Sequence, residues 1–143
     1  MSNTLTSPPA GHWPARRSII SAQLQTQFGM DQGLSIEQCL AGSGLTLSQL
    51  GDPASEIDAS QELILIGNLV AALGHIPDLG LLAGQRYHLS TYGIWGFALL
   101  SCPTLRSAAN MGLRYLDLTY AFCRMHLEDH GEDMHLRLDD QEI

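Results

Sequence analysis

The sequence predicts an α+β fold, in which a mostly helical array is followed by a C-terminal antiparallel β-hairpin. Apolar residues recur with helical spacing through most of the chain, as at Leu69 and Leu73, and the period changes to two after about residue 120. The length of 143 residues fits one domain with enough chain to bury a core.

The early helices are predicted from apolar spacing and from start signals. Residues 17–28 carry apolar side chains at every fourth position, and Gly29 is expected to end this helix. Residues 35–38 and 46–49 match the capping box, in which a hydroxyl residue and a glutamine three positions later bond each other's backbone amides. Two short helices are therefore expected there.

The strongest helical pattern covers residues 60–73. Its predicted apolar stripe consists of Leu63, Ile66, Leu69, Val70 and Leu73. Shorter helices are predicted over residues 79–87 and 91–100. Thr104 is a suitable N-cap for a further helix that runs to about residue 118.

The hairpin is predicted from alternation between about residues 121 and 139. Two registers match the apolar faces. One opposes Arg124 to Arg137, and the other, shifted by two, opposes Arg124 to Asp139 and Glu128 to His135. The second register is favoured because opposed unlike charges stabilise a strand pair and like charges destabilise it.

Composition limits the function classes. The chain has seven basic residues, all arginine, against fifteen acidic ones, and its net charge is −8. A surface that neutralises phosphates needs clustered basic residues, so binding of nucleic acid by this segment itself is not expected. No apolar run is long enough to span a bilayer. Three widely spaced cysteines indicate a reduced, cytoplasmic setting without a disulfide framework.

Several packing and turn motifs carry a family resemblance. They are D-L-G-L-L-A-G-Q-R-Y-H-L-S-T-Y-G at 78–93, G-F-A-L-L-S-C-P-T-L-R-S-A at 96–108, and R-Y-L-D-L at 114–118. Over roughly residues 15–140 the chain resembles the N-terminal, arabinose-binding-type domain of AraC/XylS regulators, and is similar to the ornithine-utilisation regulator group. Cys102 stands where the family motif has serine.

The resemblance implies that residues 15–143 are the N-terminal part of an effector-binding and dimerisation domain. Residues 1–14 lack an apolar run and are expected to be a flexible lead-in. The expected partners are a small-molecule effector, such as an amino acid, a fatty acid or another metabolite, and a second copy of the chain. DNA would be contacted only through a helix-turn-helix domain that lies outside this chain.

Aromatic residues on three consecutive predicted helices could form the wall of an effector pocket, or simply part of the core. Arginine adds a fork of donors that suits a ligand carboxylate, although pairing with a surface acid is the simpler role. The residues predicted to bind ligand are Arg86, Tyr87, His88, Tyr92, Trp95 and Tyr115.

Other functions are less well supported by the sequence. No catalytic signature occurs, so an enzyme and a cofactor are not expected. His126, His130 and His135 are the best metal candidates, but their spacing matches no standard zinc pattern, and a solvated hairpin tip is the favoured interpretation. No metal ligand is therefore assigned. A pure dimerisation scaffold and a metal- or haem-responsive sensor stay open as alternatives.

Overall fold

The computed structural model describes residues 3–6 and 16–139. These residues fall into two compact units. We call residues 16–91 the helical unit, and residues 3–6 together with 92–139 the sheet unit. The predicted α+β fold class is confirmed, with helices preceding a C-terminal antiparallel hairpin.

The strands of the described residues are β1 (Asn3–Thr6), β2 (Arg16–Ser18), β3 (Glu56–Asp58), β4 (Arg124–Asp129) and β5 (Met134–Asp139). The helices are α1 (Ile20–Asp31), α2 (Ile36–Leu40), α3 (Leu47–Leu50), α4 (Ala59–Leu73), α5 (Leu79–Gly84), α6 (Gly93–Leu100) and α7 (Leu105–Arg114). Single 3-10 turns cover Leu89–Tyr92 and Leu116–Leu118.

The core of the helical unit lies where α1, α2 and α4 pack against one another. Its buried apolar residues are Ile19, Ala22, Phe28, Cys39, Leu45, Ile57, Leu65, Leu69 and Leu73. Both predicted capping boxes are present: the Ser35 hydroxyl accepts from the Gln38 amide, and the Thr46 hydroxyl from the Gln49 amide. These local bonds satisfy helix N-termini that would otherwise lack acceptors.

The start of α1 differs from the prediction. Residues Arg16–Ser18 are not helical but pair with β3 in a short antiparallel ladder. Gly29 does not end α1, which continues to Asp31. A Cβ atom on Gly29 would lie 2.6 Å from Leu69 Cδ2 and 2.7 Å from Cys39 Sγ. The glycine is needed for close helix packing rather than for termination.

The buried face of α4 is also rotated from the predicted stripe. Leu69 and Leu73 are buried as expected, but the same face carries Glu62 and Leu65, while Val70 is 55% exposed. The prediction from hydrophobicity alone places Glu62 outside the buried face because glutamate is a charged residue. The carboxylate is tolerated because its partners are buried with it.

The sheet unit contains a three-stranded sheet in the order β1–β4–β5. Arg124 lies opposite Asp139 and Glu128 opposite His135, so the favoured hairpin register is confirmed. Within the predicted lead-in, Asn3–Thr6 form a strand that pairs with β4. Four residues give too weak a strand pattern by themselves, and the exposed edge of β4 supplies their hydrogen bonds. The rest of the predicted lead-in lies outside the described residues.

The helices of the sheet unit are shorter than predicted. Gly93 has φ 54°, and α6 begins there after a 3-10 turn. Thr104 caps α7 as expected, with Ser107 completing the capping box. The helix ends at Arg114, where a 3-10 turn replaces the predicted continuation. Within the described residues, no helix is both long and apolar enough to cross a membrane.

Replacing Gly29 with alanine tests the packing at α1. The added methyl group would press on Leu69 and Cys39, which are 5% and 0% exposed and have little room to move. We expect the free energy of unfolding to fall by about 1–3 kcal/mol, measured by urea denaturation. Gly67→Ala in α4 is the matched control, because its added methyl group would meet no atom within 4 Å beyond its chain neighbours and the backbone of its own helix. An unchanged stability of Gly29→Ala would contradict the close contact.

Candidate functional site

The six predicted ligand residues fall into the two units. Arg86, Tyr87 and His88 follow α5 in the helical unit, whereas Tyr92, Trp95 and Tyr115 belong to the sheet unit. The predicted helix over 79–87 ends at Gly84, and the Arg86 and Tyr87 amides donate to the Ala83 and Gly84 carbonyl oxygens in a turn.

Tyr87 enters a buried polar cluster that consists of Arg17, Ser21, Gln25, Glu62 and Tyr87. The Arg17 Nε and Glu62 Oε2 atoms are 3.3 Å apart, and the two side chains are 3% and 0% exposed. The Ser21 hydroxyl hydrogen-bonds the other carboxylate oxygen, Glu62 Oε1. The cluster therefore holds an ion pair shielded from water.

The outer part of the polar cluster is formed by side-chain amide and hydroxyl groups. The Tyr87 hydroxyl lies 2.7 Å from Ser21 Oγ. Since Ser21 donates its proton to the carboxylate, its oxygen can accept from Tyr87. Gln25 Nε2 donates to the Tyr87 hydroxyl at 3.0 Å and lies 3.2 Å from both Ser21 Oγ and Glu62 Oε1.

Four segments bring the polar cluster together. Arg17 is on β2, Ser21 and Gln25 lie one helical turn apart on α1, Glu62 is in the first turn of α4, and Tyr87 follows α5. Sequence reasoning identified only Tyr87. The available signal was the i, i+4 spacing of Ser21 and Gln25 on the face of α1 that also carries buried residues.

Burial controls the protonation of Glu62. Loss of hydration raises the pKa of this carboxyl above its ordinary 4.5, while the Ser21 hydrogen bond and the Arg17 charge oppose the rise. Removal of either ionic partner would leave a buried group without its counter-charge, which is far costlier than the loss of a surface pair.

Arg86 forms a surface ion pair rather than lining a closed pocket. Its Nη1 atom is 2.7 Å from Asp31 Oδ2, with side chains 41% and 36% exposed, and its guanidinium lies 5.7 Å from the centre of the Phe28 ring. Hydrogen bonds from Gln27 and from Arg86 lower the pKa of Asp31. His88 is exposed, and its amide donates to Thr91 Oγ1 at 3.2 Å.

The sheet unit holds a half-buried aromatic group. The Tyr92 ring centre is 5.3 Å from that of Trp95 and 5.5 Å from that of Tyr120, and the Trp95 indole donates to the Gly112 carbonyl oxygen at 3.3 Å. Burial, followed by the nearby Tyr120, raises the pKa of Tyr92. Tyr115 is 50% exposed and, within the described part of the chain, makes no ring contact with this group. The assignment of these residues to a ligand site stays a prediction.

Two further groups carry reactive or ligating atoms. Glu128, His130 and His135 offer donor atoms that all lie within 4.8 Å of one another at the tip of the hairpin. The three cysteines are free thiols, and burial raises the pKa of the Cys39 thiol, which makes it a packing residue rather than a nucleophile.

Comparison with known proteins gives a consistent assignment. The family model for the N-terminal arabinose-binding domain of AraC transcription regulators matches residues 33–143. Two uncharacterized HTH-type transcriptional regulators, from Mycobacterium bovis and Mycobacterium tuberculosis, are each 28% identical over 133 residues. The match covers 90% of this chain but 39% of each regulator, so the chain spans about two fifths of their length. No solved structure gives a significant match.

The raised pKa of Glu62 predicts a pH dependence of stability. The folded chain holds the Glu62 proton more tightly than the unfolded chain does. We compare the free energy of unfolding of the unsubstituted chain with that of Glu62→Gln. The difference is expected to favour the unsubstituted chain most below about pH 4.5 and to fall as the pH rises through the folded-state pKa of Glu62. Urea denaturation at a series of pH values measures this difference.

Glu37→Gln provides a control with the opposite sign. A backbone hydrogen bond and the Ser35 side chain lower the pKa of the Glu37 carboxyl, so its contribution is present above its ordinary pKa and is lost as the pH falls. A difference curve for Glu62 that rises with pH would show that Arg17 outweighs burial.

Proposed function

The chain belongs to the family of N-terminal arabinose-binding domains of AraC transcription regulators, and from this premise we propose that it senses a small-molecule effector in the cytoplasm, dimerises, and thereby modulates transcription by a DNA-binding parent protein. The family match carries this proposal. We propose Arg86, Tyr87 and His88 as the residues that an effector contacts.

Arg86 is the proposed anchor for an effector carboxylate. Its present partner, Asp31, is partly exposed, and such surface pairs are weak because water screens both charges. A ligand carboxylate can take the place of Asp31, and the guanidinium fork suits a two-pronged contact with it. Tyr87 and His88 follow directly in the sequence and would supply a hydroxyl and an imidazole beside it.

Tyr87 connects this proposed site to the interior of the helical unit. Its hydroxyl bonds Ser21 and Gln25, and through them reaches the Arg17–Glu62 ion pair. A ligand that bonds Tyr87 competes with these contacts. Such a ligand would favour a different arrangement of the segment after α5. Because the ligand binds one arrangement better than the other, it shifts the equilibrium between them.

A thermal-shift screen of carboxylate metabolites, each beside its neutral amide, tests the proposal. A ligand at a hundred times its dissociation constant stabilises the native state by about 2.7 kcal/mol, so a true effector raises the melting temperature. We expect carboxylates, but not their amides, to give this rise. Arg86→Gln should weaken binding at least tenfold in subsequent titration calorimetry.

Arg16→Gln is the matched control, because Arg16 is also an exposed arginine beside a carboxylate, Glu56, at 3.3 Å. It should leave the affinity unchanged. If no carboxylate raises the melting temperature, or if both variants bind equally well, effector sensing at Arg86 is excluded. The dimerisation scaffold would then be the better description.

Dimerisation is supported by the exposed apolar face of α6. Ile94, Phe97 and Leu100 recur at every third position and are 80%, 62% and 64% exposed. Adjacent exposed apolar side chains are characteristic of protein interfaces, whereas isolated ones are ordinary. We propose that a second copy of the chain covers this face.

Phe97→Asp is expected to convert the dimer into a monomer, because it places a charge within an apolar interface. Light scattering across a concentration series measures the mass. Leu47→Asp is the control, since Leu47 in the helical unit is also 62% exposed. A concentration-independent monomeric mass for the unsubstituted chain would refute dimerisation, and dissociation by both substitutions would refute the choice of α6.

A further inference from the structure

We propose that the hairpin tip is a binding site for a divalent transition metal, with Zn²⁺ as the reference ion and Glu128, His130 and His135 as its protein ligands. We call these three residues the tip triad. The proposal goes beyond effector sensing, since it concerns other residues, another ligand class and the other unit of the chain.

The tip triad brings together three donors of suitable type. The His130 Nε2 atom is 3.6 Å from Glu128 Oε2, and the ring centres of His130 and His135 are 4.9 Å apart. All three donor atoms lie within 4.8 Å of one another. The ligand atoms of a tetrahedral zinc with bonds of about 2.0–2.1 Å are roughly 3.4 Å apart. Side-chain rotations that move the donor atoms by about 1 Å would therefore bring them to the spacing that zinc requires.

Strand pairing, rather than sequence spacing, creates this arrangement. Glu128 on β4 lies directly opposite His135 on β5, and opposed residues project from the same face of a sheet. His126 shares that face of β4 but lies opposite Arg137. A sequence reading groups the three histidines, whereas the folded hairpin replaces His126 with Glu128.

The backbone that carries the tip triad is held in place by the turn and by α7. The Gly131 amide donates to Asp129 Oδ1 at 2.9 Å, and the His130 amide to the Asp133 carbonyl oxygen at 2.9 Å. Arg106 of α7 bonds both the Asp129 carboxylate and the Gly131 carbonyl oxygen. These bonds hold the main chain of the turn, so only the side chains need to move, and these are exposed at His130 and His135 and half-buried at Glu128.

The surroundings favour a cation. Besides Glu128, Asp129 ends β4 and Glu132 and Asp133 lie in the turn, and Arg106 is paired with Asp129. Two imidazoles and a carboxylate suit Zn²⁺, Ni²⁺ or Cu²⁺. Three protein ligands leave a fourth position for water, as in open zinc sites. A bound ion would join β4, the turn and β5 at one point.

Titration calorimetry of the purified chain with ZnCl₂ tests the site. We expect one zinc ion per chain, and a loss of affinity of at least tenfold for each of Glu128→Gln, His130→Ala and His135→Ala. His130 and His135 are exposed and Glu128 is half-buried, so misfolding of the variants is unexpected, and circular dichroism without metal verifies this. Bound Co²⁺ should also give the visible absorption bands of a tetrahedral site, which His130→Ala removes.

Two histidine controls sharpen the result. His75→Ala removes a histidine from the helical unit and should leave zinc affinity unchanged. His126→Ala distinguishes the tip triad from a three-histidine site and should also have no effect. The proposal is overturned if zinc binds without one-to-one stoichiometry, if the triad variants bind as tightly as the unsubstituted chain, or if His126→Ala weakens binding and Glu128→Gln does not.

Discussion

The helical unit depends on the buried ion pair between Arg17 and Glu62. Neither charge can be left alone in the interior, where loss of one partner costs about 3–5 kcal/mol. The pair therefore fixes β2 against α4. The Ser21 hydroxyl fixes α1 to the same carboxylate, and the Tyr87 hydroxyl joins the segment after α5 to Ser21. β2 spans only Arg16–Ser18, so the Arg17 contact with this carboxylate adds to the few hydrogen bonds of its ladder with β3.

Features that depend on neighbours in sequence were predictable. The capping boxes at Ser35 and Thr46 require only a hydroxyl and a glutamine three residues apart, and the hairpin register follows from the charges on two adjacent strands, as in Arg124 opposite Asp139. Glu62 was missed because a single glutamate reads as solvent-facing until a distant arginine is brought beside it. Gly29 was misread for the same reason, since its packing partners come from α2 and α4.

In the candidate sites too, features set by nearby residues were predictable and features set by distant residues were not. Tyr87 was selected as an aromatic wall residue, but the structure uses its hydroxyl, which composition could not reveal. Arg86 has the type of carboxylate partner expected of a surface arginine, and the proposed effector site depends on the exposure of this pair. At the hairpin tip, the histidines were recognised by proximity in sequence, whereas the opposing position of Glu128 emerges only from the strand pairing.

The pairing of β1 with β4 has a consequence for biosynthesis. The described residues of the helical unit are contiguous, so this unit can form as soon as its segment leaves the ribosome. Asn3–Thr6 precede the helical unit in the chain, yet their hydrogen-bonding partners in β4 follow that unit and are synthesised after it. Closing so long a loop is slow. Pairing of β1 is therefore a late event, which a nascent chain completes only after β4 has been synthesised.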